Sequence, residues 1–459
     1  MRLISISLMA ALLTGCATPP LQQASFQAPT AFAGATATPS AQTMPAANAW
    51  WLVFNDDTLN NLMARATEKN NDIRLAAAHL EQARALLGSS KADLWPQAGI
   101  AYQATHGATP SQGKPSTGHA LGADLSYEVD LFGRLSKAAQ AADFDAQGSA
   151  ALLRDTQLLI QSRVAQSYFA LRAIDEDRAI VADTLDAYRG SLDVTQKRFR
   201  EGDVAELDVA RLQTAVASTQ AEGIALDQQR AQLVHALAVL LGEPAGGFDI
   251  TAAAWSAQPW AGAVPAIPAG IPSDVLERRP DVTAAQASLY AAQRRVGIAK
   301  AAWLPHISLT ASGGYASGDL DTLFNSGSQS WSLTGILAQA IFDGGKRRAA
   351  TDYAEGGLDA AFAGYQQSVL TALADVEDQL SDIAFLQQQQ VAQDDGVQAA
   401  TRALAMSQSR YINGSSSQLE VLDAQRQLLA IRRQALRVRA AQYQSTIGLI
   451  RALGGAWQS

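Results

Sequence analysis

Between residues 121 and 131, Leu121, Ala123, Leu125, Tyr127, Val129 and Leu131 alternate with Gly122, Asp124, Ser126, Glu128 and Asp130. A period of two puts one apolar and one polar row on opposite faces of a strand. Ile307, Leu309 and Ala311 alternate in the same way with Ser308, Thr310 and Ser312, and Trp331, Leu333 and Leu337 share one face of a further strand. The pattern predicts two strands in each half of the chain, paired through Gly/Ser/Pro-rich loops at residues 106–118 and 313–330.

Elsewhere the chain reads as helix. Ala-rich stretches over residues 57–94 and 273–303 predict opening helices, ended by Pro96 and Pro305. After each strand pair proline disappears, between Gly133 and Glu243 and again from His306 to Ser459. Residues 136–200 predict one uninterrupted helix, about 100 Å long at 1.5 Å per residue. It ends at the glycine-marked turn Arg200-Glu201-Gly202-Asp203, and its counterpart ends at Asn413-Gly414-Ser415-Ser416-Ser417. The returning helices carry sevens: Leu212, Thr219, Leu226, Leu233 and Leu240 in one, Leu422, Leu429, Leu436, Tyr443 and Ile450 in the other. That spacing predicts coiled-coil packing.

The same order occurs twice. Asp72-Ile73 returns as Asp281-Val282, and Gly88, Lys91 and Pro96 return as Gly297, Lys300 and Pro305, all at an offset of 209. Phe132 returns as Phe342 at 210, and Gly202 with Leu207 as Gly414 with Leu419 at 212. Leu240-Leu241-Gly242 returns as Ala452-Leu453-Gly454, again at 212. We read one repeat over 49–243, a second over 273–459, and a linker over 244–272 broken by Pro244, Pro259, Pro265, Pro268 and Pro272.

Composition narrows where such a chain works. Only 17% of residues are charged, below the usual figure of about 25%. The net charge of −8 without a Lys/Arg block excludes a nucleic-acid partner. Outside the N-terminus no apolar run is long enough for a membrane helix. Arg2 and the apolar run of residues 3–13 read as a secretory signal over 1–15. The one cysteine follows directly, in Leu13-Thr14-Gly15-Cys16, as in a bacterial lipobox. Cys16 would carry covalent lipid, and residues 16–48, rich in Ala, Pro, Thr and Gln, would form an extended leader. One cysteine leaves no disulfide framework and no multi-thiolate metal site. Four amphipathic strands alone would leave two open edges, which lipid does not tolerate. A membrane location therefore requires several chains to close one barrel, with the apolar row toward lipid and the acid and hydroxyl row toward a lumen. The competing reading is a small soluble sheet packed on the helices.

Catalytic patterns are not found. His79, His106, His119, His235 and His306 show neither HExxH spacing nor clustering with carboxylates. Gly344-Gly345-Lys346 lacks the upstream glycine and the following Ser/Thr of a phosphate loop and reads as a strand-to-helix turn. We expect no enzyme, no catalytic residue, no metal site and no cofactor apart from the lipid.

An ordered set of short motifs runs through the mature chain: Trp50-Trp51-x-x-Phe54-x-Asp56, Tyr127-Glu128-Val129-Asp130-Leu131-Phe132-Gly133-Arg134 and Leu276-Glu277-Arg278-Arg279-Pro280-Asp281. Ile341-Phe342-Asp343-Gly344-Gly345, Arg410-Tyr411-x-x-Gly414, Leu419-Glu420-Val421-Leu422-Asp423-Ala424-Gln425 and Ala452-Leu453-Gly454-Gly455-x-Trp457 follow. With export, lipobox and duplication, this set resembles the TolC family of outer-membrane efflux channels, closest to its lipoprotein (NodT-type) branch. The resemblance implies a mixed, mainly α fold: a duplicated unit of long coiled-coil helices plus four membrane β-strands per chain. It implies a homotrimer with a barrel of about twelve strands and a helical periplasmic tunnel. The site would be the outer membrane, lipid-anchored, with a large periplasmic part. The function would be that of a passive exit duct for drugs, toxic compounds or metals in a tripartite system. The partners would be a periplasmic adaptor, facing the tips at Gly202, Asp208 and Gly414, and an inner-membrane transporter that supplies energy. The family's constriction maps onto Leu419, Glu420, Asp423 and Tyr411, with Ser416 standing where the family has a basic partner. The alternative is a coiled-coil structural lipoprotein of the periplasm that conducts nothing.

Overall fold

The computed structural model describes residues 29–32, 47–108, 115–255, 261, 264–268 and 272–455. The signal segment, Cys16 and most of the leader lie outside them. After a kinked 3-10 segment, Ala47–Phe54, come helices α1 (Asp57–Lys69) and α2 (Asn71–Ala92) and strands β1 (Gln97–Gly107) and β2 (Ser116–Val129). The first long helix α3 (Arg134–Arg200) and its return α4 (Glu206–Leu240) complete the first half. The second half runs α5 (Pro272–Arg278), α6 (Pro280–Ala301), β3 (His306–Ser317), β4 (Gln329–Ala338), α7 (Lys346–Ile412) and α8 (Gln418–Ala452). Equivalent helices match in length: α2 and α6 have 22 residues, α3 and α7 have 67, α4 and α8 have 35.

The two compact units do not follow the two halves. Ala77–Ala151 and Thr283–Ser368 build one; the described parts of Gln27–Ala76, Leu152–Val282 and Val369–Ser459 build the other.

The first unit contains one antiparallel sheet in the order β1-β2-β3-β4. Register puts the apolar residues of all four strands on one face. Ile100 lies opposite Ala123, Ala123 opposite Gly313 and Gly313 opposite Trp331; Leu125 lies opposite Ala311, and Ala311 opposite Leu333. The other face carries Asp124, Ser126, Thr310, Ser312, Ser332 and Thr334, with Ile336 as its large apolar exception. β2 starts earlier than the alternation predicts, because β1 supplies a partner for each residue down to Ser116. It also stops at Val129 and not at Leu131, since Asp130 leaves the ladder to cap α3, accepting from the Leu135 and Ser136 N–H groups at 2.9 and 2.8 Å. The expected loop at residues 313–330 begins only after Ser317, and Gly313 and Gly314 are strand residues. A side chain at Gly314 would collide with the Leu121 carbonyl, so the glycine serves close strand approach and not a turn.

Both opening helices are broken where continuous helix is expected. Asn70 is extended (ψ 131°), accepts from the N–H groups of Asp72 and Ile73, and donates to the Leu240 carbonyl at 2.8 Å. A capping side chain thus competes with helix continuation. In the second half Pro280, which has no N–H, starts a new helix after Arg278.

The second unit holds the aromatic core. Phe169 stacks on Tyr443 (4.9 Å between rings) and packs on Phe54 (4.8 Å), while Trp255 meets Tyr443 edge-on at 5.3 Å. Asp56 caps α1 through Leu59 N–H with one oxygen and accepts from Tyr168 Oη with the other. The Trp50–Asp56 motif is therefore a core and capping device. Burial pushes the Tyr443 hydroxyl up to about 12. Buried Asp175 receives Arg172 and Arg230, which also donate to the Thr251 and Ile250 carbonyls, so the described start of the linker is pinned to α3 and α4. Phe32, inside the leader, is buried against Val275, Val376 and Leu449.

Candidate functional site

The turns that join the long helices to their returns are two copies of one glycine cap. Gly202 (φ 83°) and Gly414 (φ 73°) take the left-handed conformation that favours glycine. Asp203 N–H reaches back to the Arg198 carbonyl and Ser415 N–H to the Arg410 carbonyl, both at 2.9 Å. These bonds satisfy the last carbonyls of each helix, as in a Schellman motif.

The side chains on this frame differ between copies. Arg198 donates to Tyr411 Oη at 2.8 Å with its guanidinium 5.6 Å from the same ring, so one cation joins the first turn to the second. Arg410, the repeat equivalent of Arg198, instead lies 3.7 Å from Glu420. Asp423 lies 3.8 Å from Arg426 and Asp208 3.6 Å from Arg211. Glu420 and Asp423 point away from the protomer's packed side, with side chains 48% and 56% exposed. Leu419 joins them at the surface, whereas Leu422 is buried with Tyr188, Leu212 and Ala215. The structure thus brings Leu419, Glu420 and Asp423 onto the open side of one helix and sets Tyr411 against a different partner. Ser416 Oγ, buried at this turn, has no hydrogen-bond partner among the described residues. Arg198 was not identified from sequence; applying the 212-residue offset to Arg410 points to it.

Further along the same unit, Arg433 of α8 binds Asp177 of α3 at 2.7 and 3.1 Å and Glu222 of α4 at 2.6 Å. The Asp177 bonds, then the nearby negative charge, hold this guanidinium above its ordinary basicity. Buried Arg279 clamps Asp281 and Asp375 and donates to the carbonyls of Ala372 and Ala452. Burial works against its charge, but the two carboxylates outweigh it. The Arg279-Pro280-Asp281 motif is a structural clamp on the end of α8.

In the first unit the apolar face of the sheet is open: Ile100, Trp331, Leu333 and Leu337 are 82%, 84%, 74% and 70% exposed. β1 and β4 each have one ladder edge without a partner among the described residues. Among these residues no three His, Cys, Asp or Glu side chains form a metal-binding group, and no helix is long and apolar enough to cross a membrane.

The chain matches the family described as outer membrane efflux protein over residues 62–243 and 271–455. The solvent efflux pump outer membrane protein SrpC of Pseudomonas putida is 35% identical over 412 residues, covering 88% of this chain and 86% of the relative. Among solved structures, the outer-membrane channel OprN superposes with a TM-score of 0.88 at 28% identity, covering 96% of this chain and 99% of that one. The open state of the MtrE outer membrane channel of Neisseria gonorrhoeae gives 0.85 at 27% identity, with 96% and 98% covered.

Proposed function

Since this chain belongs to the outer membrane efflux protein family, we propose that three copies of it close one barrel and enclose one exit duct. The chain is an outer-membrane channel of an efflux system, in a family of ducts and not of enzymes. The observation that carries the trimer is the sheet: four strands with a continuous exposed apolar face and two open edges. Lipid has no hydrogen bonds to offer those edges, so β1 of one copy pairs with β4 of the next and twelve strands close the ring. Asp124, Ser126, Thr310 and Ser312 then face water inside.

In this reading Cys16 carries lipid as a second attachment to the outer membrane. The glycine turns at Gly202 and Gly414, with Asp208 beside them, face a periplasmic adaptor that links the duct to an inner-membrane transporter. Leu419, Glu420 and Asp423 line the narrow end, and the Arg198–Tyr411 bond ties its two turns together. The cargo is a small molecule admitted by the pump. Mass measurement in detergent is expected to give three chains per particle, and the particle should conduct ions in a planar bilayer. A stable monomer with its full strand content would overturn the shared barrel, and a trimer without conductance would favour a structural lipoprotein.

A further inference from the structure

The apolar row of the sheet changes character along its length. Near the strand-to-helix joints it reads Val129, Ile307, Leu309 and Leu337; toward the β1–β2 turn it ends in Tyr102, Tyr315, His119 and His106. Register fixes these last four on the same face, since Tyr102 lies opposite Leu121, Leu121 opposite Tyr315, Ala104 opposite His119, and His106 opposite Thr117. No Asp, Glu, Lys or Arg occurs on this row in any of the four strands. From Ile307 to Tyr315 the strand rises about 27 Å, or about 20 Å across a membrane at a tilt of about 40°. That is close to the apolar band of such barrels, about 25 Å. The tyrosines therefore mark the far edge of the hydrocarbon, and the histidines stand in the headgroup layer beyond it.

We propose that His106 and His119 form a headgroup site that takes a phosphate of an outer-leaflet lipid. The proposal rests on the outer-membrane reading above and adds a ligand to it. Each ring is held through Nδ1: Tyr102 Oη lies 2.8 Å from His119 Nδ1, and Thr117 Oγ1 lies 3.0 Å from His106 Nδ1. Tyr102 also lies nearly parallel to His119, at 13° and 6.2 Å. Either atom of each pair can be the donor; the tautomer that binds phosphate is the one in which the hydroxyl donates into Nδ1, which leaves the proton of a neutral imidazole on Nε2. Neither Nε2 has a partner among the described residues. The two residues occupy diagonal positions of an antiparallel pair, about 7–8 Å apart at the backbone, so both N–H groups can reach oxygens of one phosphate. A carboxylate on this face would repel that ligand, and the row has none. The aromatic flank formed by Tyr102 and Tyr315 suits the boundary between acyl chain and headgroup.

The test uses the full-length oligomer in detergent, mixed with bis-phosphorylated lipid A or with its dephosphorylated form, and read by native mass spectrometry. Wild type is expected to retain several-fold more phosphorylated lipid than His106→Phe with His119→Phe, and the two proteins should retain equal amounts of the dephosphorylated lipid. Tyr102→Phe keeps the ring, frees the His119 tautomer and should fall between them; it carries the test if the double variant does not assemble. Equal retention of phosphorylated lipid by wild type and variants would overturn the site. So would competition by millimolar inorganic phosphate, which indicates a free-phosphate site, or loss of lipid on adding a chelator, which indicates a two-histidine metal site. Three-chain mass and conductance, recorded for wild type before lipid is added, report separately on the shared barrel.

Discussion

Helices α3 and α7 have the same length and the same place in their repeats, yet they are used differently. α3 buries Leu158, Ile160, Val164, Tyr168, Phe169 and Leu171 in succession, and farther along Val181 and Tyr188. α7 buries Tyr365, Val369, Ala372 and Val376 and leaves Tyr353, Phe362, Leu370, Phe385, Val391 and Met406 at the surface. Charge differs too: α3 carries both signs throughout, whereas α7 has no Lys or Arg between residues 349 and 401 but several acids. Duplication therefore preserved the backbone plan and not the surroundings. The first copy of the helix supplies the core of its own protomer. The second presents apolar and acidic faces that, in the trimer we propose, other copies and the lumen cover.

The largest effect expected from this difference is in the core. Phe169→Ala should cost about 3–5 kcal/mol in denaturant unfolding, because it empties the stack between Phe54 and Tyr443. Phe385→Ala, at a site 63% exposed, should change chain stability by less than about 0.5 kcal/mol, while Phe385→Asp should lower the fraction of three-chain particles. Equal losses at Phe169 and Phe385 would break the comparison.

A smaller effect separates a clamp that joins the halves from an ion pair within the second half. Arg433→Met leaves Asp177 and Glu222 of the first half without their partner and should cost about 2 kcal/mol. Arg410→Met removes an exposed 3.7 Å pair and an exposed 3.3 Å bond to the Ser415 carbonyl and should cost less than about 1 kcal/mol; thermal melts of both variants check the order.

Two aspartates of the same unit should respond to pH with opposite signs. Burial pushes the Asp281 carboxyl up, but the Arg279 bonds and charge outweigh it and hold it below the usual value of 3.8. Its stabilisation is complete above that value and is lost as pH falls through the lowered one. Burial, and then the Asp281 charge, hold Asp155 of α3 above the same reference. Its cost is fully present at neutral pH and disappears on acidification. Asp281→Asn should therefore destabilise by about 1–2 kcal/mol at pH 7, and Asp155→Asn should stabilise by about 1 kcal/mol or less. The Asp155 difference should vanish once pH falls below 3.8, whereas the Asp281 difference should persist there and vanish only below its lowered value. Unfolding midpoints across that range decide it, and matching signs would show that the two carboxylates share one environment.

The smallest effect on stability is expected at the turns. Glu420→Gln with Asp423→Asn removes two exposed pairs and should shift unfolding by less than about 0.5 kcal/mol. If three copies bring these carboxylates to one axis, the same variant lowers cation selectivity in single-channel recording with assembly intact. Unchanged selectivity would mean that they are an ordinary solvated helix face. Palmitate labelling that is lost in Cys16→Ser would tie the lipid to that residue, and label retained there would remove the anchor.

What is local or periodic was legible from the residues alone. Alternation set the sheet's two faces, glycines at 202 and 414 set the turns, and the near-constant offset predicted the paired helices, because backbone preference and side-chain period act within a few residues. Asn70 shows where local reading stops: the residue is compatible with helix, and the decision to break lies with the Leu240 carbonyl, far along the chain. Arg198 meeting Tyr411, Arg433 meeting Asp177, and the difference in burial between α3 and α7 were likewise decided by tertiary structure. Each depends on which helix faces which and at what register, and two segments of equal length and period can be packed against quite different neighbours. His106 and His119 belong to the second kind: the residues alone put His106 in the loop at 106–118 and His119 ahead of the alternation, and only the pairing of β1 with β2 carries both into the ladder at the same edge of the sheet.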